Sequence, residues 1–165
     1  MPFELPDNLH PNCAPLAWLL GTWQGSGEGD YPTIEKFKFG QELIFAHDGR
    51  PFFHYMSRAW IVDDEGNKVR DAALESGFLR CTGDNELELL ISHNTGITEY
   101  YHGRVDGARV ELTTDAVVRT ETAKEYVAGQ RLYGLVEGDL WFAMDMSAMG
   151  QPLQPHLWGK LLRRP

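Results

Sequence analysis

The chain has 165 residues, 42% hydrophobic and 24% charged, and its 15 basic and 24 acidic side chains give a formal net charge of −9. This composition excludes a disordered chain, and the acidic excess argues against nucleic acid, because binding to a phosphate backbone requires clustered Lys and Arg. The length predicts one domain over residues 1–165.

No membrane span is expected, because the longest apolar runs fall far short of the roughly 20 residues that cross a bilayer. The N-terminus lacks the basic start and apolar run of a signal peptide, so the cytoplasm is the expected compartment. Cys13 and Cys81 do not form a disulfide framework. In a reducing compartment both are expected to be free thiols.

Prolines and asparagines dominate the first segment, which predicts an irregular N-terminal arm over residues 1–15. One short helical turn is expected over Leu16–Leu20, before Gly21. From Gly21 onwards, turn signals such as Asp48-Gly49 and Asp106-Gly107 separate short runs rich in aromatic and β-branched residues. Predicted strands after the first are 35–39, 52–62, 86–92, 97–102, 109–114, 130–136 and 140–146. Residues 120–128 are ambiguous between helix and strand.

Many short strands without helical crossovers predict an antiparallel barrel or sandwich. Such a series must close on itself or pack against a second sheet to protect its edges. A closed barrel of about eight or more strands has an interior wide enough for a small ligand. The sequence therefore predicts a functional site inside the barrel.

A glycine-rich motif opens the first strand, with Gly21, Trp23, Gly25 and Gly27 at every second position. It lacks the strand-to-helix context of a phosphate-binding loop. Alternating glycines leave one face of a strand bare, so that another backbone or a flat ligand can approach closely. The alternative is a strongly bent strand in which Trp23 fills the bottom of the barrel.

His156 follows two prolines, Pro152 and Pro155, so a strand is expected to begin only near His156. This position would let the imidazole reach into a cavity and bind iron, zinc or copper. The other histidines have no zinc-ligand spacing. A haem needs only one axial histidine, because the macrocycle supplies four nitrogens. A hydrogen-bonded structural histidine is the alternative.

Four separated motifs resemble, in order and spacing, the nitrobindin family, from about Leu16 to the C-terminus. They are Gly21-x-Trp23-x-Gly25-x-Gly27 with Tyr31-Pro32-Thr33, then Glu75-Ser76-Gly77-Phe78-Leu79-Arg80, Asn94-Thr95-Gly96 and Gln151-Pro152-Leu153-Gln154-Pro155-His156-Leu157. The resemblance implies an all-β fold, a closed ten-stranded antiparallel barrel similar to lipocalins and fatty-acid-binding proteins. It also implies a ferric b-type haem at the open end, reversible nitric oxide binding, and isomerisation of peroxynitrite to nitrate.

By motif matching, His156 takes the place of the proximal iron ligand and is the expected catalytic residue. Thr33 and Lys124 match positions that contact the haem or its propionates, although Lys124 alone would be read as a surface lysine. Many relatives carry a distal histidine where this chain has Ala73, so the distal side is expected to differ. His54 or another side chain is a candidate replacement.

The alternative function is a non-enzymatic carrier of a fatty acid or another apolar ligand in the same cavity. Its expected lining is Phe37, Phe39, Phe53, Trp60 and Trp141, and its carboxylate partner is Arg58, Arg80 or Arg131. Nitric oxide storage without turnover is a third hypothesis for the haem site. Exposed apolar patches would in addition allow a homodimer.

Overall fold

A computed structural model describes residues 5–165, in which ten antiparallel strands follow one short helix. The strands are β1 Gly21–Tyr31, β2 Ile34–Ala46, β3 Phe52–Val62, β4 Lys68–Gly83, β5 Glu86–His93, β6 Ile97–Asp106, β7 Arg109–Arg119, β8 Tyr126–Val136, β9 Asp139–Ala148 and β10 Gln154–Arg164. Each strand pairs with its neighbours in sequence, and β1 also pairs with β10. The sheet is closed, which confirms the predicted ten-stranded antiparallel barrel.

The predicted turn signals lie at the hairpin tips. Asp84 and Asn85, for example, connect β4 to β5 with φ angles of 53° and 63°. These left-handed conformations suit a tight hairpin turn and are tolerated well by Asp and Asn. The ambiguous segment 120–128 is a loop up to residue 125, and β8 begins at Tyr126.

Strand β4, Lys68–Gly83, is absent from the predicted strands although it is the longest of the barrel. Its first four residues are all exposed, because this half of the strand extends beyond the apolar core. Without burial on one face there is no alternation of apolar and polar residues to reveal a strand. The second half alternates, and there Leu79 and Cys81 point into the core.

The N-terminal helix is a 3₁₀ helix over Pro11–Leu19, rather than a turn over residues 16–20. Residues 11–15, expected to be irregular, therefore belong to the helix. Cys13, Leu16 and Leu19 recur every three residues and are fully buried, which matches the three residues per turn of a 3₁₀ helix. Pro11 begins the helix, where proline is tolerated. No helix within residues 5–165 has the length and apolarity to cross a membrane.

The helix closes one end of the barrel, which we call the closed end. Trp23 is fully buried there and donates a hydrogen bond from Nε1 to the Leu19 carbonyl at 2.9 Å. Cys13 of the helix and Cys81 of β4 are buried free thiols, as predicted. Burial raises the pKa of both thiols.

The opposite end, which we call the open end, carries the β1–β2 turn, the β7–β8 loop and the start of β10. The main apolar core fills the closed end around Trp23, Leu43 and Leu161. A second, smaller apolar cluster lies at the open end, and its buried members are Tyr31, Tyr126, Met144 and Ala148.

The glycine motif lets another backbone approach closely, which is one of the two kinds of approach that its bare face predicted. A Cβ atom on Gly25 would lie 2.1 Å from the Lys160 carbonyl oxygen, and one on Gly27 would lie 2.3 Å from the Trp158 carbonyl oxygen. The backbone of β10 therefore covers the bare face of β1. A flat ligand cannot approach the strand there.

We predict that Gly25→Ala destabilises the barrel by about 1–3 kcal/mol, because a methyl group would overlap backbone atoms that must then shift. Gly134→Ala is the matched control, since the nearest atom to its Cβ lies at an ordinary 3.8 Å. Urea unfolding of both variants measures the difference. Equal stability of the two variants would show that β1 and β10 are not constrained at this contact.

Candidate functional site

His156 occupies a β-bulge at the open end. Strand β10 pairs Pro155 with Asp145 and Leu157 with Met144, so His156 is the extra residue between two ladder pairs. Bulges re-aim side chains and are common beside functional sites. The bulge gives His156 an orientation that regular alternation along β10 would not.

Strand β10 begins at Gln154, two residues earlier than predicted, and it includes Pro155. Strand β1 pairs with β10 only as far as Leu157. No ladder hydrogen bond to β1 is therefore required of Pro155, and proline is tolerated at such an unpaired position.

The Nδ1 atom of His156 lies 3.1 Å from the backbone carbonyl oxygen of Asp30. Asp30 itself falls at an irregularity of β1, between the paired residues Gly29 and Tyr31. A carbonyl only accepts, so Nδ1 carries the proton and Nε2 keeps its lone pair. Within residues 5–165, Nε2 forms no hydrogen bond. The structure thus holds the imidazole by one nitrogen and leaves the other free to coordinate a metal.

Two aromatic rings surround the half-buried imidazole. The ring centroid of Tyr31 lies 5.5 Å away in an edge-on arrangement, and that of Phe37 lies 6.3 Å away. Gly29 makes room for Phe37, because a Cβ atom at Gly29 would lie 2.1 Å from the phenyl ring. Burial lowers the pKa of His156, and the Asp30 carbonyl offsets this only in part. The neutral imidazole, which is the form that binds metals, is favoured.

Tyr31 is fixed across the open end. Its hydroxyl accepts from the Ala148 backbone N–H at 2.9 Å and lies 3.1 Å from the Met146 carbonyl oxygen, to which it can donate. Partly buried apolar side chains extend this wall; they are Ile97, Val117, Met146 and Leu157. The site around His156 therefore combines one free imidazole nitrogen with an apolar, aromatic surround.

The structure places Thr33 and Lys124 at the same end of the barrel as His156. Thr33 lies in the turn between β1 and β2, and Lys124 lies in the loop between β7 and β8. Both are exposed, and Lys124 forms no salt bridge with any residue from 5 to 165. No hydrogen bond links either of them to His156 in this part of the chain. Gly21 and Trp23 lie at the closed end and are not part of the site.

The barrel also contains a buried network of charged and polar side chains that sequence analysis missed. Arg131 donates from Nη1 to Glu75 Oε1 at 2.9 Å and from Nη2 to Glu75 Oε2 at 3.1 Å. The hydroxyl of Tyr55 donates to the same carboxylate at 2.6 Å. Arg131 also donates from Nε to the hydroxyl of Tyr101 at 3.1 Å.

A second carboxylate, Glu99, belongs to the same network. The Tyr126 hydroxyl donates to Glu99 Oε2 at 2.6 Å, and His93 Nε2 lies 2.5 Å from Glu99 Oε1. The hydroxyls of Tyr101 and Tyr126 are 3.3 Å apart, which connects Glu99 to Arg131. Polar side chains of β3, β4, β5 and β6 are thereby joined to Arg131 and Tyr126 of β8.

Both carboxylates stay ionised. Burial would raise the pKa of Glu75, but the charges of Arg131 and His93 and the hydrogen bonds from Arg131 and Tyr55 lower it to about 2. Burial opposes ionisation of Glu99 as well, and its hydrogen bond with His93 and the charge of Arg131 lower the pKa nevertheless. Burial raises the pKa of Tyr101 and Tyr126, so both phenols remain protonated donors.

The structure does not support the carrier alternative. Arg58 and Arg80 are exposed and pair with Glu42 and Glu88 on the outer surface. Arg131 is buried, but Glu75 already neutralises it. None of the three proposed arginines is therefore free within the barrel to bind a fatty-acid carboxylate.

Two aromatic residues proposed for the carrier's lining also lie outside. Trp60 stacks under the exposed Arg58, with the guanidinium 5.5 Å from the ring, and Trp141 is 48% exposed. Phe39 and Phe53 are buried in the barrel, as expected, and Phe37 lies next to His156.

His54 does not replace the distal histidine. It alternates with the buried residues Phe53 and Tyr55 and stacks on the half-exposed ring of Phe78, 5.4 Å away, on the outer face. Ala73 lies where the pairing of β3 with β4 is irregular.

The chain matches a described protein family and named relatives. Residues 12–163 match the family described as THAP4-like, heme-binding beta-barrel domain. A protein named peroxynitrite isomerase from a Nocardioides species is 68% identical over 99% of this chain and 100% of its own length. A ferric nitrobindin-like protein from Streptomyces griseus is 40% identical, over 93% of this chain and 82% of its own length.

The barrel also matches a solved structure. Rv2717c from M. tuberculosis superposes with a TM-score of 0.86 at 37% identity, over 95% of this chain and 99% of that one. The predicted resemblance to nitrobindins is confirmed by these relatives. The chain belongs to the THAP4-like, haem-binding β-barrel family.

Proposed function

We propose that the protein is a haem-dependent peroxynitrite isomerase with His156 as the proximal iron ligand. The observation that carries the proposal is the geometry of His156, whose Nδ1 is bound to the Asp30 carbonyl while Nε2 has no hydrogen bond within residues 5–165. The family's haem-binding description and the relative named peroxynitrite isomerase support the same conclusion.

The residues around His156 fit a haem. A single imidazole is a sufficient protein ligand, because the macrocycle supplies the other four nitrogens. The apolar wall that includes Met144, Met146 and Leu157 suits the flat hydrophobic face of a porphyrin. Cys13 and Cys81 are buried at the closed end, so neither can form a thioether bond to a haem at the open end. The buried cysteines therefore support our proposal of a non-covalent, b-type haem.

When bound, a ferric haem would supply a coordination site for peroxynitrite and the redox chemistry of its O–O bond. The chain's own residues hold and shape that site. The Asp30 carbonyl orients the imidazole and increases its basicity as a ligand. Tyr31 and Phe37 shield His156 from water. Peroxynitrite and nitrate have the same atoms and charge, so the reaction requires no external reductant or proton.

Nitric oxide is proposed as a second ligand of the same coordination site, bound without turnover. A homodimer is proposed from the outer face, where Phe78 pairs with Leu90 and both side chains are exposed beside Met56. The free thiols of Cys13 and Cys81 agree with a reducing compartment such as the cytoplasm.

We propose that Lys124 and Thr33 contact the haem propionates from the two loops of the open end. Replacing Lys124 with Gln should speed haem dissociation by no more than about fivefold, because an exposed ion pair contributes only about 0.2–1 kcal/mol. Transfer of haem to an excess of apomyoglobin measures the rate. Lys160→Gln is the control, since Lys160 pairs with Asp139 on the outer surface. Equal rates of haem dissociation in the two variants would show that Lys124 does not contact the haem.

The proposed function is tested by titrating the apoprotein with ferric haem and then mixing it with peroxynitrite. We expect a Soret band that saturates at one haem per chain, followed by peroxynitrite decay whose rate rises in proportion to haem-loaded protein. Apoprotein should leave the decay unchanged. A haem-loaded protein that does not accelerate the decay would refute the isomerase and leave nitric oxide binding as the alternative.

A further inference from the structure

His93 stands on the wall of the barrel opposite His156. In the closed ring the order is β1-β10-β9-β8-β7-β6-β5-β4-β3-β2, so β5 and β10 are five strands apart in both directions. His93 is the last residue of β5, and His156 lies near the start of β10. Because the two strands are antiparallel members of one barrel, both residues lie at the open end.

The side chain of His93 points into the barrel. Its register partner on β4 is Glu75, and directly opposite residues of an antiparallel pair share one face. Glu75 binds the buried Arg131, so that face is the inner one. His93 also touches Glu99, whose side chain is only 1% exposed.

The imidazole of His93 is hydrogen-bonded through one nitrogen. Nε2 donates to the ionised Glu99, whereas Nδ1 faces Glu75 Oε2 at 3.7 Å, within ion-pair range but beyond hydrogen-bond distance. Nδ1 forms no hydrogen bond within the described range 5–165. The His93 side chain is 12% exposed, against 1% for Glu99, so it forms the surface of the network rather than its interior.

This nitrogen suits an oxyanion. In a protonated ring Nδ1 donates to an anion, and in a neutral ring it accepts from the protonated form of the same ligand. In the open-end cluster, Ile97, Val117 and Met144 offer only hydrocarbon or thioether. The hydroxyl of Tyr126 donates to Glu99, and that of Tyr31 is bound to the backbone of Ala148.

We propose that His93 is the polar contact for the anion bound on the face of the haem away from His156. Glu99 holds the ring in position. Ile97, Val117 and Met144 offer the anion no hydrogen bond, so the anion is oriented from the β5 side. The inference rests on the proposed function, because it assumes a haem bound through His156.

Fluoride binding to the ferric, haem-loaded protein tests the proposal. Fluoride is a small anionic ligand that accepts hydrogen bonds, so His93→Leu should weaken its affinity by about tenfold or more. His93→Gln keeps an amide that can bind both Glu99 and the ligand, and it should weaken the affinity less. His54→Leu, on the outer face, is the matched control and should bind fluoride as wild type does.

If the role of His93 is purely structural, both variants will have a lower Tm, but their fluoride affinity will stay within twofold of wild type. That result would overturn the proposal. If His93→Leu does not fold, the carbonyl stretching frequency of the ferrous carbon monoxide complex decides between wild type and His93→Gln. A shift supports contact with the ligand, and an unchanged frequency refutes it. Failure of haem binding is seen separately, as the absence of a Soret band in wild type, and failure of the isomerase as unchanged peroxynitrite decay with haem-loaded wild type.

Discussion

Replacing His156 with alanine should abolish haem retention, so that the reconstituted variant passes a desalting column without a Soret band. The imidazole is the proposed axial donor, and its loss would leave only the apolar surround and the proposed contacts of Thr33 and Lys124 to hold the haem. A structural histidine would behave differently, because removing its hydrogen bond to Asp30 would cost about 1 kcal/mol of stability without affecting the absorption spectrum.

Two control experiments test whether the loss of haem is specific to the His156 imidazole. His102 lies exposed on β6, so His102→Ala should retain haem as wild type does. Added imidazole should restore haem binding to His156→Ala, because a free ligand can occupy the space left by the side chain. Stoichiometric haem with an unchanged spectrum in His156→Ala would contradict the assignment.

Glu75→Gln should lower the free energy of unfolding by about 3–5 kcal/mol at pH 7, because the buried Arg131 loses its charge partner. Glu42→Gln is the matched control on the outer surface. It also removes a carboxylate from an arginine pair, but Arg58 is exposed, so the expected loss is at most about 1 kcal/mol. Urea unfolding of both variants measures the two losses.

The effect of Glu75 should depend on pH in a defined direction. Its pKa falls from 4.5 to about 2 on folding, so its contribution to stability is full above pH 4.5 and is lost as the pH falls towards 2. A shift of this size corresponds to about 3 kcal/mol. The stability difference between wild type and Glu75→Gln should therefore shrink over this range. A difference that stays constant down to pH 2 would contradict an ionised Glu75 in the folded state.

The barrel was predictable because its signals are local. Turn residues such as Asp84 and Asn85 mark the hairpin tips, and alternation marks the strands that bury one face. The sequence of the glycine motif allowed two interpretations, a structural one and a ligand-binding one. Only the approach of the Lys160 carbonyl to Gly25 selects the structural one.

The site was predictable only in part. His156 was found through its motif, but the bulge that aims it depends on pairing with β9, which no local pattern encodes. The buried network was missed because Glu75 and Arg131 are far apart in sequence and charged residues are normally exposed. One signal was present in Glu99, which stands between Ile97 and Tyr101 at every second position and so shares the inner face of β6 with them.

The nitrogen product of the reaction distinguishes isomerisation of peroxynitrite from its reduction. Peroxynitrite mixed with haem-loaded wild-type protein should be recovered almost entirely as nitrate, with nitrite below the level formed with apoprotein, because isomerisation conserves every atom of the substrate. Nitrate and nitrite in the quenched mixture can be quantified by ion chromatography. Fast decay that yields mainly nitrite would show reduction instead, and it would contradict isomerisation of peroxynitrite by this barrel.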